Sequence, residues 1–140
     1  MVMAPVLGII IFLIFLNLIS SNIISFSFIQ SGSYISDIKF SASTIANSIN
    51  SFEEVNGFML PESEWKKSLL LYDDLPELQF DSEWYYSIDG NDRYLCLSGN
   101  DNEAVSQAFN HLAETYSKYR IDYYCGETPQ QDTLILSYKI

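Results

Sequence analysis

His111 is the only histidine in the chain, so any acyl-transfer arrangement of nucleophile, base and acid would have to be built on it. It falls on the polar side of a helical pattern running from Val105 to Tyr119, which leaves an exposed base with no evident acid to orient it. The acidic pairs Glu53-Glu54 and Asp73-Asp74 stand at a helix end and a chain break, where solvated charge is the ordinary outcome. Asp89-Gly90-Asn91-Asp92 and Asn100-Asp101-Asn102-Glu103 have the composition of calcium-loop fragments. Neither has the twelve-residue spacing or the closing Glu, and turn and cap chemistry accounts for both. Cys96 and Cys125 have no Cys or His at metal-ligand spacing, which argues against zinc. In an oxidising compartment they would form a disulfide closing a loop of about 30 residues; in the cytosol they would be two buried thiols. There is no glycine-rich phosphate loop and no basic aromatic groove. The expectation is a protein that is not an enzyme, with no catalytic residue, no cofactor and no metal.

The charges are segregated. All 18 acidic and 7 basic residues lie at Asp37 or later, and the formal net charge is −11. A body this acidic repels phosphate backbones, which excludes nucleic acid as the expected partner, and it disfavours lying on anionic lipid. Ten tyrosines in 140 residues are unusual; they serve a core and sheet surface, or a Tyr-rich interaction face.

Ahead of the charged body lies a different kind of sequence. From Val6 to Ile29 the chain is mainly Ile, Leu and Phe, with Val6, Ile9, Ile10, Ile11, Phe12, Leu13, Ile14, Phe15 and Leu16 as its densest part. As a helix this stretch would span roughly 36 Å, enough to cross a hydrocarbon layer with some tilt. About 90 residues remain after the first fifty or so, too few to bury such a helix on all sides. A cleaved signal peptide is the rival reading, since Leu18 to Ser21 offers small residues near a cut. The run is longer than a signal core and no Lys or Arg precedes it. The expectation is a single-pass membrane anchor with the short N-terminal tail in the cytoplasm and the acidic body outside.

Beyond the anchor the apolar spacing becomes regular. Ile24, Phe28, Ser31, Ile35, Ile38, Ala42, Ile45, Ile49 and Phe52 step by four and three, a seven-residue repeat with Ser31 and Ala42 as weak members. One face of a continuing helix is therefore apolar, either packing on the chain's own domain or forming a helix–helix interface through Ile24, Phe28, Ile35, Ile38, Ile45, Ile49 and Phe52. Asn56-Gly57 supplies the stop. The division expected is a transmembrane segment over 1–30, an amphipathic continuation over 31–57 and an acidic domain over 58–140.

Within that domain, Leu60-Pro61-Glu62-Ser63-Glu64 opens a short helix with Trp65, Leu69, Leu70 and Tyr72 as its buried side. Trp84 to Ile88 and Arg93 to Leu97 flank an Asp-Gly turn and make an antiparallel hairpin, with Cys96 facing away from Leu95 and Leu97. Asn100 and Glu103 have capping-box spacing ahead of a helix of about five turns buried through Val105, Ala108, Phe109, Leu112, Ala113, Tyr116 and Tyr119. Ile121 to Cys125 and Thr133 to Tyr138 read as two further strands. The fold class is α+β: a long N-terminal helix and a small domain with an antiparallel sheet in ββαββ order.

An uncharged N-terminal helix running into an amphipathic one, with a small α+β domain behind it, resembles the layout of type IV pilins and pseudopilins. Those proteins carry a charged leader and a Glu at the fifth mature position, whereas position 5 here is Pro5 and no acid interrupts the apolar run. The segments SASTIANSINSFEEVNG (Ser41 to Gly57) and WYYSIDGNDRYLCLSG (Trp84 to Gly99), with Tyr124-Cys125-Gly126, are more similar to the PilM family of conjugative thin-pilus assembly proteins, which is distinct from the actin-like protein of that name. The resemblance implies an inner-membrane, non-enzymatic component of a type IVB pilus assembly or pilin-export apparatus in a bacterial inner membrane, its domain in the periplasm. Its partners would be the membrane, other pilus-assembly proteins or pilins, and further copies of itself, with no small-molecule substrate. The alternatives are an atypical minor pilin within the fibre and, more remotely, a membrane-tethered hydrolase.

Overall fold

One helix sets the frame of the molecule. In the computed structural model, helix α2 (Phe26–Asn56) runs for 31 residues, about 46 Å, along one face of a four-stranded sheet. The structure describes residues 8–14, 26–71, 74–99, 102–122, 124–125, 128–129 and 134–140. A short helical segment α1 covers residues 8–14. No helix among the described residues is long and apolar enough to cross a membrane. Much of the Val6 to Ile29 run, including Val6, Phe15, Leu16 and Ile24, lies outside the described residues.

The heptad stripe decides how α2 sits. Ile38, Ala42, Ile45, Ile49 and Phe52 are buried in the main core, as are Ala46 between them and Tyr34 one turn before. A buried hydrogen bond locks the packing: the Trp84 indole N–H donates to Ser41 Oγ at 3.1 Å. The helix ends where Gly57, at φ +72°, donates its N–H to the Glu53 carbonyl, a left-handed conformation that glycine adopts without steric cost.

Two short helical pieces follow, a 3-10 turn (Glu62–Glu64) and helix α3 (Trp65–Leu70). Then come β1 (Trp84–Asp89), β2 (Asp92–Ser98), α4 (Glu103–Thr115), β3 (Tyr119–Asp122), β4 (Tyr124–Cys125), β5 (Thr128–Pro129) and β6 (Ile135–Lys139). The main sheet is antiparallel in the order β1-β2-β6-β3, and β4 pairs with β5 in a separate two-stranded sheet. The described order is therefore ββαββββ rather than ββαββ. The strand expected at Ile121 to Cys125 divides, its first half joining the main sheet and its second the small one.

Register places one face of the sheet on the helices. Tyr86, Leu95, Tyr138 and Tyr119 lie in one cross-strand row, and Trp84, Leu97, Leu136 and Ile121 in the next. Period-two alternation turns Tyr85, Cys96, Ser137 and Arg120 to the opposite face. Helices α2 and α4 cover the first face, α4 through Val105, Ala108, Phe109 and Leu112.

Helix α4 departs from expectation at both ends. Its N-cap is Asn102, whose side chain accepts from the Ala104 N–H at 2.9 Å, while Asn100 lies outside the described residues. It stops at Thr115, not Tyr119: Tyr116 is already extended, and Tyr119 pairs with Tyr138 in the sheet. Residues 112, 116 and 119 keep helical spacing, but the Tyr119-Arg120-Ile121 run is taken by β3.

Candidate interaction surfaces

The described histidine and carboxylates do not gather into one site. His111 is exposed on α4, and among the described residues it has no hydrogen-bond or ion-pair partner. Asp92, in the hairpin, accepts from Lys139 Nζ at 2.7 Å, which holds its carboxyl below the usual range and the lysine above its own. Glu53 accepts an ion-paired hydrogen bond from Arg93 and takes the Leu60 N–H on its other oxygen. Glu62 caps the outer edge of β1 by accepting from Ser87 Oγ and from the Ile88 N–H. These carboxylates fasten α2 and the 3-10 turn to the hairpin. Among the described residues no group of three or more His, Cys, Asp or Glu is placed to hold a metal. Asp73 and Asp101 lie outside them.

The Tyr86 hydroxyl is buried without a hydrogen-bond partner among the described residues. Burial, with Glu53 nearby, pushes it up to about 12. Burial also raises Tyr119, which packs against Tyr138 with ring centroids 4.9 Å apart. Four described tyrosines, Tyr34, Tyr86, Tyr119 and Tyr138, belong to the core, and Tyr85 and Tyr116 are exposed.

Cys96 and Cys125 are joined in a disulfide, with Cα atoms 5.8 Å apart. It ties the β4–β5 sheet to the face of the main sheet away from the helices, where Ile135 and Tyr94 pack around it.

Most of the candidate helix–helix interface is spent inside the molecule. Ile38, Ile45, Ile49 and Phe52 are buried and Ile35 packs against the same core, so they are closed to a partner helix. Ser31 and Ala42, the weak members of the repeat, are buried too, because small residues let the helix approach its neighbours closely. Phe28 alone of the described seam is open, at 72 % exposure. It joins Ser31, Gly32 and Ile35 against Gln107, Asn110, His111 and Glu114 in a groove of about 420 Å³ between α2 and α4. Of the anchor residues, Ile9, Ile10, Ile11, Phe12, Leu13 and Ile14 lie in α1 with their side chains uncovered.

A second groove, of about 450 Å³, opens between α2, α3 and residues 75–84. Its apolar walls include Ile45, Leu70, Leu75, Leu78, Phe80 and Trp84. The strip from Leu75 to Asp81 is fixed to α2: Asp37 accepts from the Gln79 N–H at 2.8 Å, and the Phe80 ring packs on Tyr34. Leu70 was expected on the buried side of α3 but is 56 % exposed, and Leu71 is 81 % exposed. Three successive leucines cannot share one face of a helix, and Leu69 takes the core position. That run was the signal in the sequence for this surface. Tyr72 lies outside the described residues.

Comparison of the chain with protein-family models, with curated proteins and with solved structures gives no match.

Proposed function

We propose that this protein is a non-enzymatic, single-pass inner-membrane component of a type IVB, conjugative thin-pilus assembly or pilin-export apparatus, whose acidic domain docks other pilus components in the periplasm. The observation that carries the reading is the continuity of α2. It starts within the uncharged apolar run at Phe26, and from Ser31 onward its apolar stripe is built into the domain core. The end of that apolar run, Phe26 to Ile29, is thus joined to the domain by one stiff helix. The Cys96–Cys125 disulfide suits an oxidising compartment, and the likeness of Ser41 to Gly57 and Trp84 to Gly99 to the PilM family supplies the pilus context.

A minor pilin or pseudopilin is the second reading. It is favoured by Phe28, Ile29 and Phe40, apolar side chains that α2 leaves exposed for packing on neighbouring helices. Fractionation of tagged full-length chain from piliated cells separates the two. Recovery in the inner membrane, with sheared fibres free of it, supports the assembly role. Recovery mainly in the sheared fibres overturns it in favour of the pilin.

A further inference from the structure

The groove beside α3 combines three features. Its interior is apolar with Leu70 at its wall, the next residue Leu71 is the more exposed of the two and stands outside the lining, and carboxylates edge it at Glu77, Asp81 and Glu83. Lys66 is already committed, donating to Glu83 at 2.8 Å with its ammonium over the Trp65 ring. Lys67, the next residue, is exposed and has no partner among the described residues, whereas Lys39, Lys66, Arg93, Lys118, Arg120 and Lys139 each have one. One short helix and its C-cap residue therefore present two exposed leucines, Leu70 and Leu71, and the cation of Lys67 beside an apolar groove with an acidic edge. The surface thus carries both an apolar groove and an exposed leucine that could fill one, and both a cation and a carboxylate edge.

We propose that this face receives a second copy of the chain in a two-fold contact, Leu71 of each copy entering the other's groove and Lys67 of each meeting the other's Glu77. A two-fold axis makes every such pairing occur twice, so one exposed leucine and one ion pair count double. Apolar contact must lead, because the formal charge of −11 on each chain opposes association beyond the short range over which salt leaves it unscreened. The contact is independent of the pilus assignment, since it uses the acidic domain alone.

Sedimentation equilibrium of the full-length chain in density-matched detergent tests this. The parent chain should show a reversible monomer–dimer equilibrium. Leu71→Asp, which places a carboxylate in the apolar groove, should weaken it by about tenfold or more. Lys67→Glu and Glu77→Lys should each weaken it by about threefold or more, and the double variant Lys67→Glu/Glu77→Lys should return to within about twofold of the parent. All three positions are exposed, and an unchanged unfolding midpoint for each variant confirms that the fold is intact. A chain that stays monomeric, a dimer indifferent to Leu71→Asp and so held by the N-terminal apolar run, or a double variant weaker than either single one overturns the proposal.

Discussion

Ile45→Ala probes the packing of α2 on the domain. Ile45 is 1 % exposed, so the substitution removes three buried carbons, worth about 0.8 kcal/mol each, or roughly 2.4 kcal/mol of transfer free energy. A cavity term adds to this, and it is kept small because Ile45 also lines the α3 groove, through which water can reach the void. The expected loss is therefore about 3 kcal/mol. That is a large share of the 5–15 kcal/mol over which small domains are typically stable. Ile38→Ala lies two turns away, lines neither of the two grooves and should cost somewhat more, about 3 to 4 kcal/mol. Phe40→Ala on the exposed face, at 65 % exposure, should stay within about 0.5 kcal/mol of the parent. Urea unfolding followed by tryptophan fluorescence suits the measurement, because Trp65 and Trp84 both line the groove against α2. The midpoint should fall with an unchanged slope. An Ile45→Ala variant within about 0.5 kcal/mol of the parent would refute the burial of the stripe and return those residues to the role of an intermolecular seam.

Ser41→Ala strips the buried Trp84 indole N–H of its acceptor and should cost about 1 to 3 kcal/mol in the same assay, whereas Ser43→Ala, on the exposed side, should be nearly silent. Removing the Cys96–Cys125 bond as a double serine variant should lower stability by about 3 to 4 kcal/mol, the chain-entropy value for a separation of 29 residues, read as the drop in unfolding midpoint against the oxidised parent. Alkaline titration followed at the phenolate absorbance should show Tyr86 ionising near pH 12, and Tyr86→Phe should remove that step. Because burial raises its folded value above that of an unfolded tyrosine, the stability it contributes is complete below about pH 10 and is lost as pH rises toward 12, so unfolding should set in across that window.

Much of this architecture could be read from side-chain periodicity, and the rest turned on competition between periodicities. The hairpin around Asp89 to Asp92 was legible because two aromatic runs flank a turn residue at φ +59°, Gly90. The end of α2 at Asn56 was legible from Gly57, and the outward turn of Cys96 from period-two alternation. The fate of the heptad stripe was not legible, because an apolar seam has the same sequence whether its partner is a sheet or another helix. Tyr116 and Tyr119 extend the spacing of α4, and only cross-strand pairing with β6 shows that the chain has already left the helix. The α3 surface needed the register of Leu69, Leu70 and Leu71, which a six-residue helix leaves ambiguous until its packing is seen.

The most direct measurement is the topology of the native cysteine pair in intact cells, using a membrane-impermeant maleimide polymer applied from the periplasmic side. If the acidic domain stands in the periplasm behind an N-terminal anchor, the membrane fraction should hold the chain unlabelled until a reductant is added, and then carrying two polymers, one each at Cys96 and Cys125. Labelling that requires lysis of the inner membrane and proceeds without reductant would put the domain on the cytoplasmic side and contradict the proposed role.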